Sequence, residues 1–162
     1  MYLLPVSESA ALADARLTSI EHRVVRHGRV KSLEEAAELR GVSPSDVIKT
    51  MVVRRGDNDY VFVLVPGDRV IDWPKLRTLL NERRLSMPDA QEALDATGYE
   101  RGTITPFGSS RPWPVVEDTR ISNGVVSIGG GAHGVSLTVD GMDLCLAVDA
   151  DVADVTRERS EQ

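Results

Sequence analysis

Up to Gly98, hydrophobic positions switch repeatedly between helical and extended spacing, which predicts helices and strands in alternation. Capping residues and helix-ending glycines predict helices from about Ser7 to Ile20, Ser32 to Gly41, Ser43 to Ile48, Asp72 onward and Asp89 to Gly98. β-Branched and aromatic runs predict strands at His22 to Arg26, Met51 to Val53, Tyr60 to Val65 and Leu85 to Met87. Turn-forming residues 56–59 separate the second and third of these strands, so we expect a hairpin there.

After Gly98 the pattern changes to short β-rich segments separated by many glycines. Strands are predicted at Val115–Val116, Val125 to Ile128 and Val135 to Val139, the last closed by Asp140-Gly141. Hairpins with helices between them favour an α+β domain with a mixed, mainly antiparallel, strongly bent sheet and helices packed around it. We expect residues 1–155 to form this single domain and residues 156–162 to be a frayed tail.

Composition narrows the class of protein. With 162 residues, 41% of them hydrophobic and 27% charged, the chain has the length and balance of one globular domain. No apolar run approaches the roughly 20 residues of a membrane-spanning helix, and Met1 to Pro5 lack the basic residues of a signal peptide. Cys145 is the only cysteine, which excludes an internal disulfide and a zinc site of paired thiolates. We therefore expect a cytoplasmic protein without membrane association, metal or cofactor.

The charge is unevenly distributed along the chain. A net charge of −6 argues against a general nucleic-acid binder, because Lys and Arg provide the affinity for phosphates. Residues 1–80, however, carry 12 basic and 11 acidic side chains, whereas residues 81–162 carry 7 and 14. Basic side chains that could converge on one face are Arg54, Arg55, Arg69, Lys75, Arg77, Arg83 and Arg84. Scatter over the solvated surface is the alternative interpretation.

Two segments have residue types suited to an ester or a phosphate. Lys49, followed by Thr50, lies between a predicted helix and a predicted strand, where its ammonium could meet a phosphate or carboxylate. A lysine that only extends its stem from the end of an element is the alternative. Gly102 and Pro106 have Gly-x-x-x-Pro spacing, and backbone N–H groups in such a loop could face an ester carbonyl like an oxyanion hole. An ordinary surface loop remains the other interpretation.

A third segment, residues 129–134, lies between two predicted strands and begins with three consecutive glycines. Such glycines can present N–H donors to an anion or a nucleotide, whereas a flexible hairpin is the alternative. His133 could be a general base or bind substrate, or it could be an exposed side chain without a role. Cys145 lies in an apolar run, where a small buried side chain is expected rather than a nucleophile.

Taken together and in order, these segments resemble the YbaK family of free-standing aminoacyl-tRNA deacylases, which is related to the editing domain inserted in bacterial prolyl-tRNA synthetases. The resemblance rests on Lys49-Thr50, Thr97-Gly98-Tyr99, Gly102 to Pro106, Pro114 to Asp118, Gly129 to Gly131 and Asp143-Leu144, and it extends from about Glu21 to about Val155. Family members that prefer cysteine carry a tyrosine near the end of the strand after the first helix, where this chain has residues 24–27, Val-Val-Arg-His.

The resemblance implies a role for each segment. Lys49 would be needed for activity, Gly102 to Pro106 would position the aminoacyl ester, and Gly129 to Gly131 would line the same pocket around the terminal adenosine. It also implies that water or a group of the substrate attacks the ester, so no Ser-His-Asp triad is expected. Candidate catalytic residues are thus Lys49, Gly102 and Pro106, and candidate substrate-binding residues are Thr50, Thr103, Ile104, Thr105, Gly129, Gly130, Gly131 and His133.

The expected function is a trans-acting aminoacyl-tRNA deacylase that hydrolyses the ester of a mischarged tRNA, such as tRNA-Pro carrying Ala, Cys or Ser. Its partners would be the aminoacyl-tRNA acceptor end and a prolyl-tRNA synthetase. The alternative is a non-catalytic module that binds aminoacyl-tRNA or a nucleotide for a partner protein.

Overall fold

A computed structural model describes residues 6–121 and 123–160. The helices are α1 (Val6–Leu12), α2 (Ala15–Thr18), α3 (Leu33–Arg40), α4 (Trp73–Leu80), α5 (Ala90–Thr97) and α6 (Gly141–Ala147), with a 3₁₀ turn at Pro44–Asp46. The strands are β1 (His22–Arg26), β2 (Val47–Gly56), β3 (Asp59–Pro66), β4 (Arg69–Ile71), β5 (Val115–Asp118), β6 (Val125–Gly129), β7 (Val135–Asp140), β8 (Asp151–Ala153) and β9 (Thr156–Glu158). Within these two ranges, every helix is too short or too polar to cross a membrane.

Seven strands form the main sheet in the order β1-β7-β6-β2-β3-β5-β8, and β4 pairs with β9 in a separate two-stranded sheet. In the main sheet, β1–β7, β7–β6 and β2–β3 are antiparallel, whereas β6–β2, β3–β5 and β5–β8 are parallel. The predicted α+β fold with a mixed sheet is confirmed. Three of the six pairings in the main sheet are antiparallel and three are parallel, so a mainly antiparallel sheet is not confirmed. The strong bend of the sheet stays a prediction.

Side-chain caps place most helix ends where the sequence predicts them. Ser32, Asp72 and Asp89 each accept a hydrogen bond from a backbone N–H in the first turn of α3, α4 and α5. Gly41 and Gly98 end α3 and α5 in the left-handed conformation. The predicted long first helix instead breaks at Asp14, whose carboxylate caps α2.

Strand β2 begins earlier than predicted. The expected helix from Ser43 to Ile48 is only the 3₁₀ turn, so Lys49 and Thr50 lie inside β2 rather than at a helix–strand junction. The predicted strand at residues 85–87 is reduced to one antiparallel bridge between Ser86 and β2.

The β2–β3 hairpin separates two buried apolar clusters, one on each face of the main sheet. In its register, Lys49 lies opposite Val65 and Thr50 lies opposite Leu64. Leu64 belongs to the first cluster and Val65 to the second. Because cross-strand partners share a face and neighbours in a strand alternate, Lys49 and Thr50 point to opposite faces.

The structure corrects the prediction of a frayed tail after residue 155. Residues 156–158 form β9, which pairs with β4. The buried Asp118 carboxylate accepts hydrogen bonds from the Val155 N–H at 3.1 Å and the Thr156 hydroxyl at 2.9 Å. A buried charge needs such partners, so Asp118 holds this segment against the domain. Residues 161 and 162 of the predicted tail lie outside the described residues.

Candidate functional site

The edge of β2 that faces β6 is only partly paired. It contacts β6 at its first two residues, and farther along Arg54 exchanges backbone hydrogen bonds of 2.8 and 3.2 Å with Ser86. Between these contacts, no strand in the described part of the chain pairs with this edge. Because backbone groups alternate between the two edges of a strand, the N–H and C=O of Thr50 and Val52 face the same way as those of Arg54. They point into the gap.

A cavity of about 560 Å³ lies at this gap, within the size range of small-ligand sites. The predicted site residues in its lining are Lys49, Thr50, Gly102, Ile104 and Gly129. Side chains that the sequence analysis did not assign to the site complete much of the wall: Arg40, Met51, Val52, Met87, Pro88 and Arg101. The fold thus brings all three predicted segments to one cavity.

Thr50 contributes a hydroxyl without a hydrogen-bond partner in the described structure. Its Oγ1 is buried, and it points to the face of the first apolar cluster, against which Ile104 packs. An unsatisfied buried hydroxyl costs roughly 1 to 3 kcal/mol of stability. A polar group of a bound ligand at this position would remove that cost.

Lys49 extends toward the other face of the sheet. Its Nζ donates a hydrogen bond to the Arg69 carbonyl at 2.7 Å. Partial burial lowers the pKa of the ammonium below its usual value, and Arg159 lowers it further, whereas Asp68 opposes the shift. The ammonium is therefore held beside β4, and contact with a ligand in the cavity requires it to leave the Arg69 carbonyl.

Hydrogen bonds hold the shape of the loop from Gly102 to Pro106. The Thr103 hydroxyl donates to a carbonyl three residues earlier at 2.8 Å, and the Thr105 hydroxyl accepts from an N–H two residues later at 3.4 Å. The Pro106 carbonyl accepts from the Arg16 guanidinium at 2.7 Å. These three residues stabilise the loop, whereas Gly102 and Ile104 line the cavity.

Gly102 has a backbone conformation that favours glycine. Its φ is +90°, in the left-handed region. A β-carbon there would lie 3.5 Å from His133 Cε1, an ordinary contact distance. The backbone angle, and not the surrounding space, therefore requires glycine at this position.

The three consecutive glycines that begin at the last residue of β6 have different surroundings. Gly129 lines the first cavity, and a β-carbon on it would lie 3.2 Å from the Ile104 carbonyl oxygen. The Gly130 N–H donates to the Val135 carbonyl at 2.9 Å. Gly131 lines a second cavity of about 750 Å³ together with Thr103 and His133. The Gly102–Thr103 segment therefore contributes to both cavities.

His133 packs beside Gly102 but remains largely exposed. Its side chain is 72% exposed, and its Nε2 lies 3.7 Å from the Glu100 carboxylate. An exposed contact of this length contributes little to stability. The geometry keeps His133 at the rim of the second cavity.

A separate surface brings arginines together. Arg54, Arg55, Arg77, Arg83 and Arg84 line one cavity near the β2–β3 hairpin. Arg54 and Arg55 form ion pairs with carboxylates of the hairpin turn at 2.6 and 2.9 Å. Among the described residues, Arg77, Arg83 and Arg84 have no ion-pair partner. We call these five side chains the arginine surface. The other two predicted members, Arg69 and Lys75, contact Thr156 and Asp154 instead.

Arg40 and Arg101 are the two charged side chains of the lining that the sequence analysis did not assign to this site, and Arg40 has the less obvious position. It is the last residue of α3, where a basic side chain is ordinary because it complements the helix dipole. The sequence contains no pattern that places Met87 and Pro88 in the site either. The bridge between Ser86 and β2 brings them to the cavity. Cys145, predicted to be buried, is partly exposed on α6.

Comparison with known proteins shows the family of this chain. A model of the aminoacyl-tRNA editing domain family matches residues 27–145, which is most of the chain. The chain belongs to this family. The predicted resemblance is therefore confirmed, and the matched range contains all three cavity-lining segments.

Relatives of this chain include two bacterial proline–tRNA ligases. The ligase of Bacillus licheniformis is 33% identical over 70% of this chain, and that of Heliobacterium modesticaldum is 32% identical over 75%. The chain spans only about a fifth of the length of these relatives, 19% and 21%. A solved structure described as a proposed trans-editing enzyme for prolyl tRNA synthetase has a TM-score of 0.83 at 22% identity, covering 96% of this chain and 99% of the other. That likeness supports the fold.

Proposed function

We propose that this protein is a trans-acting aminoacyl-tRNA deacylase that hydrolyses the ester between a mischarged amino acid and the terminal ribose of tRNA. The observation that carries the proposal is the cavity at the open edge of β2, where Thr50, Gly102 and Gly129 meet in a chain of the editing-domain family. The cytoplasm, where tRNA is charged, is its proposed location.

The cavity has groups suited to an ester. In hydrolysis, water adds to the ester carbonyl carbon, negative charge develops on the carbonyl oxygen, and the bond to the ribose oxygen breaks as that oxygen receives a proton. Backbone N–H groups near Gly102 or at the open edge of β2 would stabilise the developing negative charge. The unpartnered Thr50 hydroxyl would hold a ribose hydroxyl or the amino group of the substrate.

The lining of the first cavity also favours a substrate that carries a small amino acid. Apolar side chains of β2, together with Met87 and Ile104, leave a cavity about large enough for a terminal nucleoside with a small side chain. We propose Ala, Cys or Ser on tRNA-Pro, since an activation site built for proline rejects similar or smaller residues by only about 1 to 3 kcal/mol. Proline–tRNA ligase is the proposed partner enzyme, because ligases of this kind contain related segments.

The arginine surface supports recognition of nucleic acid by an acidic protein. Three of its members lack an ion-pair partner among the described residues and can release counterions from phosphates. Strand β2 contributes to this surface and to the first cavity, since Arg54 belongs to the arginine surface and Thr50 lines the cavity. A bound acceptor stem could therefore direct its end into the cavity.

The second candidate, a non-catalytic binding module, is separated from the enzyme by one experiment. Purified protein is incubated with tRNA-Pro charged with Ala, Cys, Ser or Pro, and with correctly charged tRNA-Ala, while loss of the ester is followed over time. Faster loss from one or more mischarged species than from Pro-tRNA-Pro supports the proposal. Binding of charged tRNA without accelerated loss of any ester contradicts it and favours the module.

A further inference from the structure

Arg40 is a cation held at the wall of the first cavity by neutral groups. Its Nε donates to His27 Nε2 at 3.3 Å and its Nη1 donates to Ser127 Oγ at 3.5 Å. His27 Nδ1 lies 2.8 Å from the Gly28 carbonyl oxygen. A carbonyl only accepts hydrogen bonds, so Nδ1 carries the ring proton and Nε2 is free to accept from Arg40.

The charge of Arg40 is not balanced by a carboxylate. Among the described residues, none forms an ion pair with it, and desolvation alone lowers the pKa of its guanidinium. A partly buried arginine normally has an anionic partner, because desolvating a cation is costly. The negative end of the α3 dipole stabilises part of the Arg40 charge. That interaction does not require the guanidinium to line a cavity.

The position of Arg40 suggests which anion completes the site. It lines the same cavity as Thr50, Gly102 and Gly129, next to the first residues of β2. A substrate whose ester lies beside Thr50 and Gly102 extends from the ribose to the phosphodiester that precedes the terminal nucleoside. Guanidinium groups bind phosphate oxygens through two parallel N–H groups. Two other N–H groups of Arg40 already donate to His27 and Ser127, and these hydrogen bonds fix the orientation of the guanidinium.

We propose that Arg40 binds the phosphate on the 5′ side of the terminal adenosine of the substrate. Arg40 is then a substrate-binding residue that sets how far the acceptor end enters the cavity. The inference rests on the proposed function, because it uses the aminoacyl ester to place the nucleoside.

The test compares two stable substrate analogues, 3′-alanylamido-3′-deoxyadenosine and the same compound with a 5′-phosphate. Dissociation constants are measured by calorimetry for the wild-type protein, Arg40→Gln and Arg40→Lys. For the wild type, we expect the phosphate to tighten binding about 10- to 100-fold, the range of a charge-assisted hydrogen bond. Arg40→Gln should remove this gain while binding the unphosphorylated analogue as the wild type does, and Arg40→Lys should retain part of it.

Arg29→Gln is the matched control, since it removes one exposed positive charge outside the cavity. Thermal midpoints of all variants show whether they are folded, and Arg40→Lys keeps the test valid if Arg40→Gln is unstable. An equal gain from the phosphate in wild type and Arg40→Gln overturns the role of Arg40 but leaves the deacylase proposal intact. Failure of the wild type to bind either analogue overturns both.

Discussion

The Ile104 carbonyl oxygen lies 3.2 Å from the position that a β-carbon on Gly129 would occupy. This close approach joins the Gly102–Pro106 loop to the end of β6, on two sides of one cavity. Two segments far apart in the sequence therefore determine the shape of the site together.

Gly129→Ala should reduce deacylation more than stability. The added methyl group must push the Ile104 carbonyl away by a few tenths of an ångström, which moves the loop relative to Thr50. Misplacement of catalytic groups on this scale lowers rates by about 10-fold or more, because the reaction depends on positioning. Deacylation rate and thermal midpoint would be measured together. Gly56→Ala is the control, since no atom lies within 4 Å of its added β-carbon. Equal rates for both variants would show that the close approach has no role.

Gly102→Ala should also impair catalysis, for a different reason. The left-handed φ of +90° disfavours a β-carbon, so the loop would change its backbone and turn its N–H donors. Loss of one oxyanion donor raises the barrier by about 2.7 to 4 kcal/mol, whereas the strain costs the fold about 1 kcal/mol.

Gly98→Ala is the matched control for Gly102→Ala. Gly98 has a similar φ of +82° and an ordinary contact at 3.6 Å, so it reproduces the strain at the end of α5. Gly108→Ala is unsuitable, because its β-carbon would overlap the Ala10 backbone. A Gly102→Ala variant whose rate falls only as far as that of Gly98→Ala would make the loop structural.

Lys49→Ala should lower the deacylation rate about 10- to 100-fold, the worth of one charge-assisted hydrogen bond, if the ammonium leaves Arg69 to hold substrate. Stability should fall by only about 1 kcal/mol, because the cost of partly burying the ammonium offsets much of its hydrogen bond to the Arg69 carbonyl. Lys75→Ala removes the same charge from the Asp154 ion pair outside the cavity. Single-turnover rates and urea unfolding of both variants check this. A normal rate for Lys49→Ala would assign Lys49 to the packing of β4.

Binding of uncharged tRNA-Pro should be weak and sensitive to salt, since the protein is acidic and the arginine surface is a local patch of basic side chains. Arg83→Gln with Arg84→Gln should reduce the dependence of log K on log salt by about 0.7 to 0.9 for each phosphate that the variant no longer neutralises. Arg23→Gln, an exposed arginine outside this surface, is the control. Titrations at several salt concentrations that give the same slope for the double variant and the wild type would exclude this surface.

The free energy of unfolding should decrease as pH rises, because Glu117 is buried. Burial raises the pKa of Glu117 from 4.5 to about 7, although a hydrogen bond with Cys145 opposes the shift, and Oε1 has no partner in the described structure. Because the folded-state pKa is raised, the unfolded chain loses its proton first. This contribution to stability is therefore complete below pH 4.5, decreases up to about pH 7 and is then constant.

Glu117→Gln should remove this decrease and stabilise the protein at pH 8 by on the order of 2 kcal/mol relative to wild type. Urea unfolding at pH 5 and pH 8 measures the effect. The exposed Glu21 provides the control Glu21→Gln. A wild-type stability that is the same at both pH values, with no gain in Glu117→Gln, would show that the carboxyl titrates normally.

The sequence by itself determined the starts of three helices and the family. Ser32, Asp72 and Asp89 begin helices because their side chains bind nearby backbone N–H groups, which requires only neighbouring residues. The ordered series of motifs also identified the editing-domain resemblance, which the family comparison confirms.

Only the tertiary structure decided how these elements form a site. The opposite directions of Lys49 and Thr50 depend on β2 beginning at Val47 and on the two apolar clusters that cover its faces. The approach of Gly129 to Ile104, and the place of Arg40 in the cavity, depend on packing between segments far apart in the chain. Local spacing cannot encode such packing, because long-range burial selects among the pairings that local preferences allow.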